Sequence, residues 1–267
     1  MEHVADGSAA AHGASDAAAD WPGLRGARVL VLGAGGIGAE CVRGYLRAGA
    51  VVTVVDRDPA RLDALPPGPD GTGAHTFAAD LAEPGAGADA VRRAVEAMGG
   101  LDVLLHCVGV NDRRPILDFT EDEWDRVLRT NLSTAFGAAQ AAGRHMVEAG
   151  GGRIVLLSSV SGHLAHRKHG PYAASKGGMN QMMRVMAAEW ACHGVTVNAV
   201  APGYVETPLT AGYLAQPGVR EELVRLVPAG RLGTAAEIVG PILFLSSPHA
   251  AFITGHVMYV DGGRTLV

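Results

Sequence analysis

From Ala27 to the end of the chain, short runs rich in Val, Leu and Ile alternate with longer segments whose apolar residues recur at helical spacing. The runs are RVLVL (28–32), VVTVV (51–55), HTFAA (75–79), DVLLH (102–106), RIVLLS (153–158), VTVNAV (195–200) and HVMYV (256–260). This alternation marks βαβ units, because a parallel strand pair needs a crossover long enough to hold a helix. Continuous apolar character, without polar alternation, implies strands covered on both faces. The expected fold is α/β: one doubly wound sheet of seven parallel strands, with helices at 36–48, 59–65, 86–98, 121–149, 172–193 and 234–247. Residues 204–230 are longer than a crossover requires and are expected to form a lid over a binding site.

Composition narrows what such a fold can serve. Hydrophobic residues make up 48% of the 267 and charged residues 18%, enough for a large core. The net charge is −5 and the basic residues are scattered, which argues against a nucleic-acid partner. Gly, Pro or charge interrupts every apolar run before it reaches membrane-spanning length, so no membrane partner is expected. Cys41, Cys107 and Cys192 are odd in number and are not spaced as metal ligands or a redox pair; a reducing cytoplasm suits them. Residues 1–22 lack a basic segment followed by an apolar run and are read as a mobile tail, the domain occupying 23–267. PPGPDGTG (66–73) is read as a loop.

VLGAGGIGAE (31–40) follows the first strand and opens the first helix, with Gly33, Gly35 and Gly38 spelling GxGxxG. That spelling is weak by itself in a chain with 37 glycines. Its context is stronger, because the second strand ends in VVDRD and places Asp56 eighteen residues beyond Gly38, where an acidic residue reaches an adenosine ribose. Glycine lets the backbone approach a pyrophosphate, and the helix N-terminus offers free N–H groups. Asp56 would bind the ribose hydroxyls and repel a 2′-phosphate, which favours NAD over NADP; Arg57 pulls the other way.

HGPYAASKGG (169–178) places Tyr172 and Lys176 four residues apart, on one face of a helix. A cation at about 4–6 Å favours a phenolate and lowers such a pKa by about 1–3 units. The positive charge of an oxidised nicotinamide ring bound nearby would act in the same sense, and together the two cations would let Tyr172 take a proton from an alcohol near neutral pH. Ser159, thirteen residues upstream at the end of the fifth strand, is positioned to hold the substrate oxygen.

With these motifs in place the chain resembles the short-chain dehydrogenase/reductase family, from the first strand to the last. The Gly-rich turn, Asp80 and Leu81, Asn131 in RTNLS, Ser159, YAASK, NAVAPGYVETP and ITGHVMYVDGG occur with the family's spacing. The resemblance implies a Rossmann-type domain in which Tyr172 is the general acid/base. Lys176 lowers its pKa and binds the nicotinamide ribose, Ser159 orients the carbonyl and Asn131 anchors a relay water. It implies a cofactor cradle of Gly33, Gly35, Gly36, Ile37, Gly38, Asp56, Arg57, Asp80, Leu81, Gly109, Pro202, Gly203, Val205 and Thr207, with Tyr172 and Lys176 at its nicotinamide end. Asp80 would meet the adenine, while backbone around Val205 and the Thr207 hydroxyl hold the carboxamide. Two departures stand out. The family's T-G-x-x-x-G-x-G is one residue shorter here, with Leu32 where the threonine belongs, and its NNAG reads HCVG (106–109). His106 is read as a strand-end residue making local hydrogen bonds, and Cys107 as a small apolar filler.

HLAHRKHGP (163–171) and NDRRPI (111–116) are expected to border the substrate. Arg113 and Arg114 would suit an anionic or hydroxyl-rich molecule, although both residues equally suit a solvated loop or a subunit contact. Three histidines at spacing three invite a metal reading, but the chemistry needs none and no metal is assigned. Trp124, Trp190 and the methionines at 179, 182, 183 and 186 are read as packing. VGVNDRRPILDF, PAGRLG and GPILFLSS resemble the sugar-acid branch of the family. The expectation is an NAD-dependent oxidoreductase interconverting an alcohol and a ketone, on a sugar acid or polyol, as a homotetramer paired through 121–149 and 172–193. The alternatives are an NADPH-dependent 3-oxoacyl thioester reductase and a non-catalytic dinucleotide-binding regulator.

Overall fold

The computed structural model describes Trp21, residues 23–69 and residues 71–267. The tail expected over 1–22 otherwise lies outside the described residues, and Trp21 packs against the core. Seven strands form one all-parallel sheet: β1 (Arg28–Leu32), β2 (Val51–Asp56), β3 (His75–Ala78), β4 (Val103–His106), β5 (Gly152–Leu157), β6 (Val195–Pro202) and β9 (Val257–Val260). Their order is β3-β2-β1-β4-β5-β6-β9. All seven correspond to the runs read in the sequence, with ends shifted by at most two residues.

Helices cover both faces. On one, α3 (Ala86–Met98), α5 (Thr134–Ala149) and α6 (Gly170–Trp190) bury Met146, Met179 and Met183 against Leu104, Ile154 and Val197. On the other, α1 (Ile37–Arg47) and α9 (Ala235–Ser246) bury Tyr45, Ile242 and Leu245 against Val29, Val31 and Val155. Each fully buried Met or Leu contributes about 1.5–3 kcal/mol by leaving water. The strands are apolar throughout because they supply side chains to two cores at once. The short α2 (Pro59–Asp63) starts at an N-cap, Asp58, whose side chain accepts from the N–H of Ala60.

Two departures from the sequence reading bear on the site. The helix expected over 121–149 is broken: α4 (Glu121–Leu128) leads into a π-helical turn, Arg129–Ser133, before α5 begins. A π-turn adds a residue to the helical cycle and re-aims the side chain at the bulge. That side chain is Asn131. The segment 204–230 is also more structured than a plain lid. It carries β7 (Val205–Glu206), α7 (Pro208–Leu214) and α8 (Val219–Arg225), and β7 pairs with β8 (Gly233–Thr234) in a separate two-stranded ribbon. None of the described helices is long and apolar enough to cross a membrane.

Candidate active site

The strand order reverses between β1 and β4, and ligands of open parallel sheets bind in the crevice beyond the carboxyl ends at such a point. One arm of the crevice is a cleft of about 620 Å³ lined by Gly33, Gly35, Gly36, Ile37, Asp56, Arg57, Asp80, Leu81, Gly109 and Thr207. Gly33 has φ +97°, and a Cβ there would press the Cys107 backbone. Gly38 lies behind the surface, its Cα so close to the turn that a Cβ would stand 1.9 Å from the Gly33 carbonyl oxygen. No side chain caps α1, and although the Gly38 N–H is taken by the Gly35 carbonyl at 2.8 Å, the positive end of the helix faces the cleft. This bare, glycine-built cradle fits a dinucleotide pyrophosphate despite the shortened turn.

Asp56 lines the cleft with its carboxylate already engaged by backbone. It is buried, accepting from the N–H of Ala34 through Oδ2 (2.8 Å) and from the N–H of Asp58 through Oδ1 (2.9 Å). The guanidinium of Arg61 stands 3.7 Å from the same Oδ2 and also lies over Gly35. The carboxylate therefore braces the Gly-rich turn, and Arg61 offsets the charge that was to repel a 2′-phosphate. Arg61 was missed in the sequence; the signal was there, since Asp58 begins α2 and places position 61 one turn on. Asp80 accepts from the N–H of Ala82 and sits with Leu81 on the cleft wall.

The second arm, a narrower cleft of about 130 Å³, gathers Ser159, Tyr172, Lys176, Pro202, Gly203 and Val205, with Ile37, Gly109 and Thr207 shared between the arms. Tyr172 and Lys176 come from the first two turns of α6, and Ser159 follows β5. Lys176 is buried and donates to the carbonyl of Leu157 (2.6 Å), which holds its Nζ 5.7 Å from the Tyr172 ring centre. Burial pushes this ammonium down to about 8. Ser159 accepts from the N–H of Ser161 and lines the same cleft as Tyr172. Thr207 bonds locally to the Thr210 hydroxyl at 3.2 Å.

One electrostatic expectation is overturned for the protein's own groups. The Tyr172 pKa is raised, not lowered: burial dominates, while the Ser159 hydroxyl and the Arg113 guanidinium act in the opposite sense. Lys176 is too far away and too engaged with Leu157 to offset that penalty.

Asn131 is fully buried at the π-turn. Its Oδ1 accepts from the N–H of Val110, and its Nδ2 donates to the Val110 carbonyl and the Ser175 hydroxyl. Both amide hydrogens are thus used, leaving one lone pair on Oδ1 for the relay water that the resemblance implies. His106 is buried, shares a hydrogen bond with Thr134 through Nε2 (2.9 Å), and is pushed down to about 3 by burial and by Lys176. It is a neutral strand-end residue, as read from the sequence. Cys107 lines both arms, and with burial it pushes the Cys41 thiol pKa up.

The two basic loops part company. Arg113 lines the substrate arm, with its Nε donating to His169 (3.1 Å) and its guanidinium 4.4 Å above the Tyr213 ring. Arg114 turns away and is held by Asp112 (2.8 Å) and Glu123 (2.6 Å). His166 and His169 border the arm, whereas His163 stacks near Tyr259. Among the described residues no three His, Cys, Asp or Glu side chains converge to hold a metal ion.

A parallel sheet with a glycine cradle at its switch point, beside a serine, tyrosine and lysine in one cleft, defines a dinucleotide-dependent dehydrogenase or reductase. The family model described as enoyl-(acyl carrier protein) reductase matches residues 31–265, and the chain belongs to the short-chain dehydrogenase/reductase family. As such it is an enzyme that acts on CH–OH donors. It is 37% identical to gluconate 5-dehydrogenase of Gluconobacter oxydans over 91% of this chain and 96% of that protein. It is 39% identical to D-threitol dehydrogenase of Mycolicibacterium smegmatis over 91% and 94%. The crystal structure of a gluconate 5-dehydrogenase from Burkholderia cenocepacia in complex with NADP and tartrate superposes with a TM-score of 0.86 at 33% identity, covering 92% of this chain and 99% of that one.

Proposed function

We propose that the protein interconverts a secondary alcohol and a ketone on a sugar acid or polyol, with Asn131, Ser159, Tyr172 and Lys176 as its catalytic residues. When bound, the nicotinamide ring takes up or gives the hydride and, oxidised, brings a second positive charge to the site. Ser159 holds the substrate oxygen against Tyr172, whose hydroxyl exchanges the proton. Lys176 fixes the ribose while anchored on Leu157. Asn131 keeps the loop after β4 against α6, so that Gly109 can face the cofactor. Residues 204–230 close over the substrate.

The single observation that carries the substrate class is Arg113. It is half-buried, burial lowers its pKa, and its neighbours are a neutral imidazole and an aromatic face rather than a carboxylate. A guanidinium in such a setting calls for an anion. At the same junction the Oδ1 of Asn111 is buried without a hydrogen-bond partner and would accept from a substrate hydroxyl. Tartrate, named with the Burkholderia relative, is a hydroxy dicarboxylate of this kind.

The cofactor reading is adjusted by Arg61. The charge argument for NAD weakens once Asp56 is paired, so NADP should be accepted alongside NAD. A panel of sugar acids, polyols, steroids and acyl thioesters, assayed with both dinucleotides by absorbance of the reduced ring, tests the assignment; turnover of acyl thioesters alone would replace it with the thioester reductase. In the same assay Arg61→Ala should raise KM for NADP about tenfold or more relative to NAD, the value of a charge-assisted hydrogen bond. An unchanged ratio would remove Arg61 from the cofactor site.

The exposed Phe136 on α5 and Val185 on α6 support pairing through these helices into a homotetramer. Sedimentation of the purified chain should give four copies, and a monomer would reject the arrangement. The three unpaired cysteines suit a cytoplasmic setting.

A further inference from the structure

Beyond the substrate arm lies an outer cleft of about 540 Å³ that shares Asn111, Arg113, His169 and Tyr213 with it. Its charge is one-sided. Arg113, Arg126, Arg167 and Lys168 line it against a single carboxylate, Asp112. Asp112 is itself committed to Arg114 at 2.8 Å and to Arg126 at 3.6 Å. Arg167 and Lys168 have no ion pair with any described residue. In a chain whose net charge is −5, with more acidic than basic residues available, four cations around one shared carboxylate are not an average surface.

The backbone adds an independent sign. Lys168 has φ +65°, and it is the one non-glycine residue with positive φ among those described. Such a conformation is strained for a side chain without a short polar group. Strain of this kind gathers at ligand clamps, where the surrounding structure holds it in place. Here the strained residue turns the Arg167–Lys168 corner into the cleft that opens on the reacting groups.

We propose that this outer cleft binds a phosphate group carried by the substrate at the end remote from the reacting carbinol. The proposal rests on the alcohol–ketone reading above and narrows its substrate to a phosphorylated one. Arg113 stands at the junction between the two clefts and takes the inner anion or hydroxyl. Arg167 and Lys168, with Arg126 behind them, take the outer phosphate. A phosphate monoester of a sugar acid or polyol fits this charge, and the phosphate of a phosphopantetheine thioester carries the same chemistry.

The test compares matched pairs on the full chain: D-gluconate with its 6-phosphate, D-sorbitol with its 6-phosphate, and a 3-oxoacyl N-acetylcysteamine with the corresponding 3-oxoacyl phosphopantetheine. In one class of pair the phosphorylated member should show kcat/KM higher by about tenfold or more, mainly through KM, the value of one or two charge-assisted contacts. The class that responds identifies the source of the phosphate. Arg167→Ala/Lys168→Gly should bring that ratio close to one. Calorimetric titration with inorganic phosphate should show saturable binding to the wild type that the double variant loses. Equal kcat/KM within every pair overturns the proposal, as does a preference that the double variant keeps. If no compound turns over, the alcohol–ketone reading fails separately, and the phosphate titration decides this one alone.

Discussion

Tyr172→Phe is expected to lower turnover by about 10²- to 10⁴-fold, the worth of a positioned general acid/base, while dinucleotide still binds. The ring keeps its packing and loses only the hydroxyl that faces the cleft shared with Ser159. Dinucleotide titration by fluorescence separates the two effects, and a variant that keeps most of its turnover would end the assignment. The pH profile follows from the same environment. Burial raises the Tyr172 pKa, so the phenolate needed for alcohol oxidation is scarce at neutral pH and grows as pH rises. Ketone reduction needs the phenol, which is already fully formed there. The wild type should therefore oxidise faster from neutral to alkaline pH, and reduction should stay level before falling above the phenol's pKa. Oxidation that is flat across this range would show that another group moves the proton.

The second large effect is expected from Gly38→Ala. The added Cβ would lie 1.9 Å from the Gly33 carbonyl oxygen and 3.4 Å from the Cys107 Cβ. The Gly33 carbonyl cannot yield cheaply, because it is backbone at the tip of β1, whereas the Cys107 contact is an ordinary one. Overpacking of this kind costs about 1–3 kcal/mol, and about 2–4 °C of Tm per kcal/mol in a chain of this size. The larger loss is in binding, since relieving the clash must open the turn that meets the pyrophosphate. Thermal unfolding and dinucleotide titration together measure it. An alanine variant that binds like the wild type would show that this turn is not the cradle.

Much of this site was legible before any coordinates. Tyr172 and Lys176 are tied by helical spacing alone, and the turn at Gly33 by its place between an apolar strand and a helix. Such features are set within a few residues of chain, so local pattern suffices. Asn131 was legible only through resemblance, because no local signal marks a π-turn inside a segment that reads as one helix from 121 to 149. Arg113 and Arg114 are adjacent and chemically identical, yet one reaches the substrate arm and the other pairs with Glu123. Nothing in the sequence around them distinguishes the two.

The sequence by itself determined the parallel sheet, its order of strand and helix, and the residue types at the reacting centre, because these follow from hydrophobic periodicity and short spacings. The tertiary structure decided the charges. Whether Tyr172 is made more or less acidic, whether Asp56 repels a phosphate and which arginine faces the substrate depend on burial and on partners brought in from elsewhere in the fold. Electrostatic energy depends on distance and dielectric in space, and neither is written in the order of the residues.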